Sequence, residues 1–178
     1  IEYLQKNKLI KCNQTHIIAQ NSLVVVTPKK SNRKKFPLKT KYSPNNFSGD
    51  IIAIGNPAFV PVGKYTKEVL EKLHWYQSLI NKAILAKDVS SVLHYVELGE
   101  CDWGIVYYTE AIQSSKVKIL SSISKAMHSE INFYIAQTTS SHPAAIELNK
   151  IFIEEIGQSI FAKYGFRSLK KRHQYVRK

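Results

Sequence analysis

The chain has 178 residues, 44% of them apolar, and a formal net charge of +13 at pH 7. This length and apolar share suit one domain of ordinary size or two small lobes, and exclude a chain disordered throughout. The longest purely aliphatic run, Leu23 to Val26, is far too short to cross a bilayer as a helix.

The charge is unevenly spread. Lys29, Lys30, Arg33, Lys34, Lys35, Lys39 and Lys41 form one run, and Arg167, Lys170, Lys171, Arg172, Arg177 and Lys178 another; together they are half of the 26 Lys and Arg. Neither run contains an acid, and the rest of the chain is neutral, so the charge belongs to a loop and a tail separable from the fold. Cys12 and Cys101 show no CxxC or Cys/His spacing and read as two buried or partly buried thiols, not a metal site. The first residue is Ile, and no secretory signal pattern stands at the start, as in a mature chain or a piece of something longer.

Residues 2 to 11 read as the end of a short helix, with Leu4 and Leu9 among Lys and Gln. "NSLVVVTP" follows as a buried, β-branched strand ended by Pro28. The basic stretch from Lys29, closed by "YSPNNFSGD", has the Pro, Asn, Ser and Gly of a surface loop. "IIAIGNP" is a second short strand. A helix is predicted from about Lys64 to Leu73, with Tyr65, Val69, Leu70 and Leu73 on one face. Another runs from Val89 to Leu98, capped by Asp88 and stopped by Gly99. "WGIVYY", residues 103 to 108, is a strand. Adjacent strand residues point to opposite faces, so only one of Tyr107 and Tyr108 can line a cleft, and position favours Tyr107. Pro143 suits the first turn of a C-terminal helix carrying Ile146, Ile151, Phe152 and Ile156; Gly157 interrupts it, "QSIFAKY" adds a turn or two, and Gly165 follows the last. The alternation of strands and helices gives an α/β class.

Two helix starts carry the chemistry. The first four amides of a helix lack intrahelical partners and sit at the positive end of its dipole, so they accept an anion without Lys or Arg. In "VPVGKY", Pro61 rigidifies the approach and Gly63 removes a side chain, which lets the Val62 and Gly63 amides face outward; "KDVSS" supplies the second start, and Tyr107 a phenol at a strand end. Any α/β protein has several such turns, so spacing alone does not separate an anion site from ordinary packing.

The order of the motifs goes further. "NSLVVVTPK", "IAIGNPAFVPVGKYTKEVLEKL", "AKDVSSVLHYVELGECDWGIVYYTEA", "KVKIL" and "IFAKYGF", taken in that order over nearly the whole chain, resemble the periplasmic molybdate-binding proteins of ABC importers. The most specific block is G-[DN]-P-x-x-V-P-x-G-x-Y-x-K-E-x-L, satisfied by Gly55 to Leu70. The resemblance implies a type II periplasmic-binding-protein fold, with lobe two over about 25–131 complete. Lobe one is incomplete, made of 1–24 and 132–178 with the basic tail from about 167. It implies an interlobe cleft that holds a tetrahedral oxyanion, molybdate or tungstate, on the amides of Val62 and Val89 and the hydroxyl of Tyr107. It implies no cofactor, no metal beyond that of the oxyanion, and no catalysis. The resemblance further implies the membrane subunits of an importer as partners, a monomer for the full-length protein, and a place of action in the periplasm or otherwise outside the cytoplasmic membrane.

The sequence departs from the family pattern in places. Val62 stands where Ala is common, "DVS" replaces Asp-Val-Arg, and "NFYIAQ" lacks a proline. The family also begins with a further stretch that brings two serine-bearing loops to the anion. Losing about three charge-assisted hydrogen bonds, each worth about 1.5–3 kcal/mol, would weaken affinity by roughly 10³ to 10⁶. It would also bare the apolar faces of the C-terminal helices, Ile151, Phe152 and Ile156 among them. A non-binding fragment is the alternative.

A nucleic-acid module is a further alternative, prompted by "KKSNRKK" and "RSLKKRHQYVRK". The tail lies beyond the last family motif and the bases are not on the predicted sheet, which argues against nucleic acid. No G-x-S-x-G, HExxH or P-loop is present, and His94, on the Val89–Leu98 helix, reads as a surface histidine. Asp88 and Glu68 read as a cap and a helix-surface charge, not an acid/base pair.

Overall fold

The computed structural model describes residues 1–34, 38, 49–140, 142 and 144–167, the side chains of 11–13 excepted. The chain divides into two compact units, Ser22–Glu130 and, around it in sequence, Ile1–Asn21 with the chain from Ile131 onward.

The central unit is built on a five-stranded sheet of β2 (Leu23–Pro28), β3 (Ile52–Gly55), β4 (Ala83–Ala86), β5 (Trp103–Tyr107) and β6 (Val117–Ser122), in the order β4-β3-β5-β2-β6. β3 lies parallel to both β4 and β5, while β2 runs antiparallel between β5 and β6. β2 and β3 have no outward polar alternation because both faces are covered: Leu23 to Val26 and Ile52 to Ile54 are each at most 1% exposed. α2 (Pro61–Lys72) and α4 (Val89–Leu98) pack on this sheet, joined by the short α3 (Tyr76–Ile80) and α5 (Tyr108–Ala111). Val92 and Val96, one turn apart on α4, meet Val24, Ala53 and Val106 in the core.

The flanking unit holds α1 (Glu2–Lys6), a two-stranded antiparallel sheet of β1 (Ile10–Gln20) and β7 (Asn132–Thr138), and the helices α6 (Ala144–Ile153) and α7 (Glu155–Lys163). Phe152 stacks on Phe161, which meets Phe166 edge-on, and Phe166 meets Phe133 of β7 in the same way. Ile151 and Ile156 remain 52% and 69% exposed.

Several expectations are corrected. The opening helix ends at Lys6, not residue 11, because Lys8 takes a positive φ of 55° and Ile10 already pairs with Thr138. The first central helix begins at Pro61, not Lys64: Val60 is the extended N-cap, and the fixed φ of proline suits the first helical position. β5 ends at Tyr107 and Tyr108 opens α5, so the two tyrosines diverge through a change of element, not through strand alternation. Gly157 lies inside α7, and the break between the C-terminal helices is at Glu154. Gly157 is needed for close approach, since a Cβ there would lie 2.2 Å from the carbonyl oxygen of Ile151. Gly99 and Gly165 follow their helices in the left-handed region, at φ 76° and 84°. Cys101 is buried as a free thiol, whereas the Cys12 side chain lies outside the description, as do Pro143, Lys35, Lys39, Lys41 and the tail beyond Arg167.

Candidate functional site

The register of the parallel strands assembles the site. Gly55 at the end of β3 is level with Ala86 at the end of β4, and the Asn56 amide donates to the Ala86 carbonyl at 2.9 Å. The helices that follow these strands therefore start side by side. β5 is in register with β3 through Ala53 and Gly104, which brings Tyr107 level with Asn56 at the same end of the sheet. Carboxyl ends of parallel strands are where open α/β sheets receive ligands.

The stiff, glycine-rich stretch between β3 and α2 is explained by close approach. The Asn56 side chain accepts the Ala58 amide at 3.0 Å, and its carbonyl accepts that of Val60 at 2.9 Å, folding the turn back onto the strand. A Cβ on Gly63 would lie 2.2 Å from the Gly55 oxygen, and one on Gly55 would lie 2.7 Å from Cγ1 of Val62. Only with both side chains missing does the first turn of α2 rest directly on the strand end. The first hydrogen bond of α2 runs from the Lys64 amide to the Val60 carbonyl at 3.1 Å, which leaves Val62 and Gly63 as first-turn donors without an intrahelical acceptor.

α4 begins in the same manner. The Asp88 carboxylate accepts the Ser91 amide at 2.7 Å and the Asp88 carbonyl accepts Val92, leaving the amides of Val89 and Ser90 without intrahelical acceptors. Hydrogen bonding to Ser91 and the charge of Lys87 hold the Asp88 carboxyl below its ordinary range, so it is ionised at neutral pH.

Val62, Val89 and Tyr107 are brought together. All three line one cavity of about 270 Å³, smaller than the roughly 300–1,000 Å³ pockets that take drug-sized ligands and of a size for a small solute. Its walls are mainly apolar: Phe59 and Val60 from the turn before α2 and Pro61 at its start complete one side, and Lys87 and Asp88 border the other. Tyr107 is half-buried; burial first, and then the nearby Tyr65 phenol, push its hydroxyl far above the usual tyrosine value, so it stays a proton donor at neutral pH. Tyr108 packs against the hydrophobic core instead. The arrangement offers hydrogen-bond donors from two helix termini and one phenol within apolar walls, as suits a small anion.

The sequence reading missed two contributors. Asn56 braces the turn, and Lys87 borders the cavity; the signals were the Asn-Pro pair after the strand and the Lys-Asp pair before α4. Glu68 is more than a surface charge, since it accepts both the amide and the hydroxyl of Ser129. His94 is 63% exposed, 3.8 Å from Glu97.

The chain is 32% identical over 171 residues to the molybdate-binding protein ModA of Escherichia coli, covering 93% of this chain and 65% of that protein. It is 27% identical over 168 residues to ModA of Haemophilus influenzae, covering 93% and 66%. It thus spans slightly under two thirds of the length of both relatives. Among solved structures, the periplasmic molybdate-binding protein of Azotobacter vinelandii aligns with a TM-score of 0.75 at 19% identity, over 95% of this chain and 74% of that one. The family model described as bacterial extracellular solute-binding protein matches residues 1–167. The chain belongs to that family of bacterial extracellular solute-binding proteins and has its type II periplasmic-binding-protein fold.

Proposed function

We propose that this chain binds a tetrahedral oxyanion dianion, molybdate or its near-isostere tungstate, and hands it to the membrane subunits of an ABC importer outside the cytoplasmic membrane. As a solute-binding protein it is not an enzyme; it holds its ligand and releases it unaltered. The observation that carries the reading is the meeting of the α2 and α4 starts with Tyr107 at one small cavity. The relatives named for molybdate binding support the choice of ligand.

In this reading the amides of Val62 and Val89 and the hydroxyl of Tyr107 donate to the anion, with Gly63 and Ser90 as neighbouring donors. Apolar walls lower the local dielectric, and a hydrogen bond to a charge is stronger there. Discrimination against sulfate, which matches molybdate in charge and geometry, falls to cavity size, where the Val62 methyls bear directly.

Isothermal titration of the 178-residue chain with molybdate, tungstate, sulfate and phosphate tests this. Molybdate and tungstate are expected to bind, with sulfate and phosphate weaker. Tyr107→Phe removes one charge-assisted hydrogen bond worth about 1.5–3 kcal/mol, a loss of roughly ten- to hundredfold in affinity. A folded chain that takes up none of the four anions contradicts the proposal, and so does a Tyr107→Phe chain that binds as tightly as the wild type.

A further inference from the structure

Resting on the anion-site reading, the charge at the cavity rim points to one more residue. Asp88 and Lys87 are the charged side chains among the residues that line the cavity. Asp88 is fixed in place by its cap on Ser91 and borders the cavity with an ionised carboxylate. Left alone, that negative charge repels the ligand the helix termini attract. Lys87, the adjacent residue, is exposed and borders the same cavity from the same turn. Its flexible stem lets the ammonium follow an anion, whereas the carboxylate is tied to the helix start.

We infer that Lys87 is a specificity-determining residue of this site: it offsets the Asp88 carboxylate and strengthens the cavity's preference for a doubly over a singly charged tetrahedral anion. Backbone amides at helix starts already attract a doubly charged anion more than a singly charged one of the same shape, since charge–dipole attraction also grows with ligand charge. A cation at the rim widens that gap, because its attraction too scales with ligand charge. The same dependence makes its contribution sensitive to salt, since it is exposed and screened within about 8 Å at physiological ionic strength.

The test compares molybdate with perrhenate, a monoanion of the same shape, by titrating the wild-type chain, Lys87→Gln, Lys87→Arg and Lys64→Gln. Lys64 is an exposed cation in the first turn of α2 that does not line the cavity, so its removal makes the same change in net charge away from the rim. At about 0.01 M salt, Lys87→Gln is expected to weaken molybdate binding roughly three- to tenfold and perrhenate by about the square root of that factor. Near 0.15 M salt both losses shrink, Lys87→Arg restores the wild-type values, and Lys64→Gln has the smaller effect. Equal losses for the two anions, no loss at low salt, or an equal effect of Lys64→Gln overturns the role of Lys87 and leaves the site standing. Failure of the wild-type chain to bind molybdate overturns the site, and Lys87 with it.

Discussion

Gly63 is where chain geometry and chemistry meet. The missing side chain lets the first turn of α2 rest on the end of β3, and the same turn carries Val62, which lines the cavity. Gly63→Ala would place a methyl 2.2 Å from a backbone oxygen that has no flexible side chain to yield. The expected cost is about 1–3 kcal/mol or more, read as a lower midpoint in urea unfolding, together with a loss of anion binding larger than that of Tyr107→Phe. Unchanged stability would show that the turn relaxes freely and that its tight geometry does not matter. The glycine and the prolines are plain in the sequence, and so is the inference that the backbone is bared for a purpose. Asn56 was not legible, since its value lies in a carbonyl and a side chain that fold back on the turn and in an amide that reaches β4.

Elements were legible where local signals are strong. α4 has apolar residues at helical intervals between an aspartate cap and a left-handed glycine, and each signal appears in the structure at the residue that carried it. β1 was not legible, because "KCNQTH" has neither alternation nor β-branched enrichment; the strand exists through its pairing with β7. The α4 cap makes a prediction with a defined sign. Its carboxyl lies below the ordinary value of 3.8 in the folded chain, so its stabilising contribution is complete above that value and is lost as the pH falls through the lowered folded one. Asp88→Ala is expected to lower Tm at pH 7 and to leave a smaller difference from wild type in strong acid. A Tm gap that persists unchanged at the lowest pH at which both chains fold would show that the cap does not act through its charge.

At the scale of the molecule, the donors of the proposed site belong to the unit Ser22–Glu130, whose five strands supply its whole sheet. Order along the chain was the most informative signal, since motifs that are individually weak matched one family in sequence from the first strand to Gly165. Cavity volume and the charge at its rim were not legible, because they depend on strands brought into register from distant parts of the chain. The flanking unit leaves Ile146, Ile151, Ile156 and Ile160 of its helices about half or more exposed, a burden in water that hydrophobic periodicity alone does not forecast.

The measurement that bears most directly on the account is a ¹⁵N-resolved NMR titration of the isotope-labelled chain with molybdate. The account predicts that the amides of Val62, Gly63, Val89 and Ser90 move together and saturably, with a common dissociation constant, while amides at the opposite end of the sheet, such as Thr27 and Trp103, stay in place. Shifts that gather elsewhere, or none at these four amides while the chain remains folded, would contradict it.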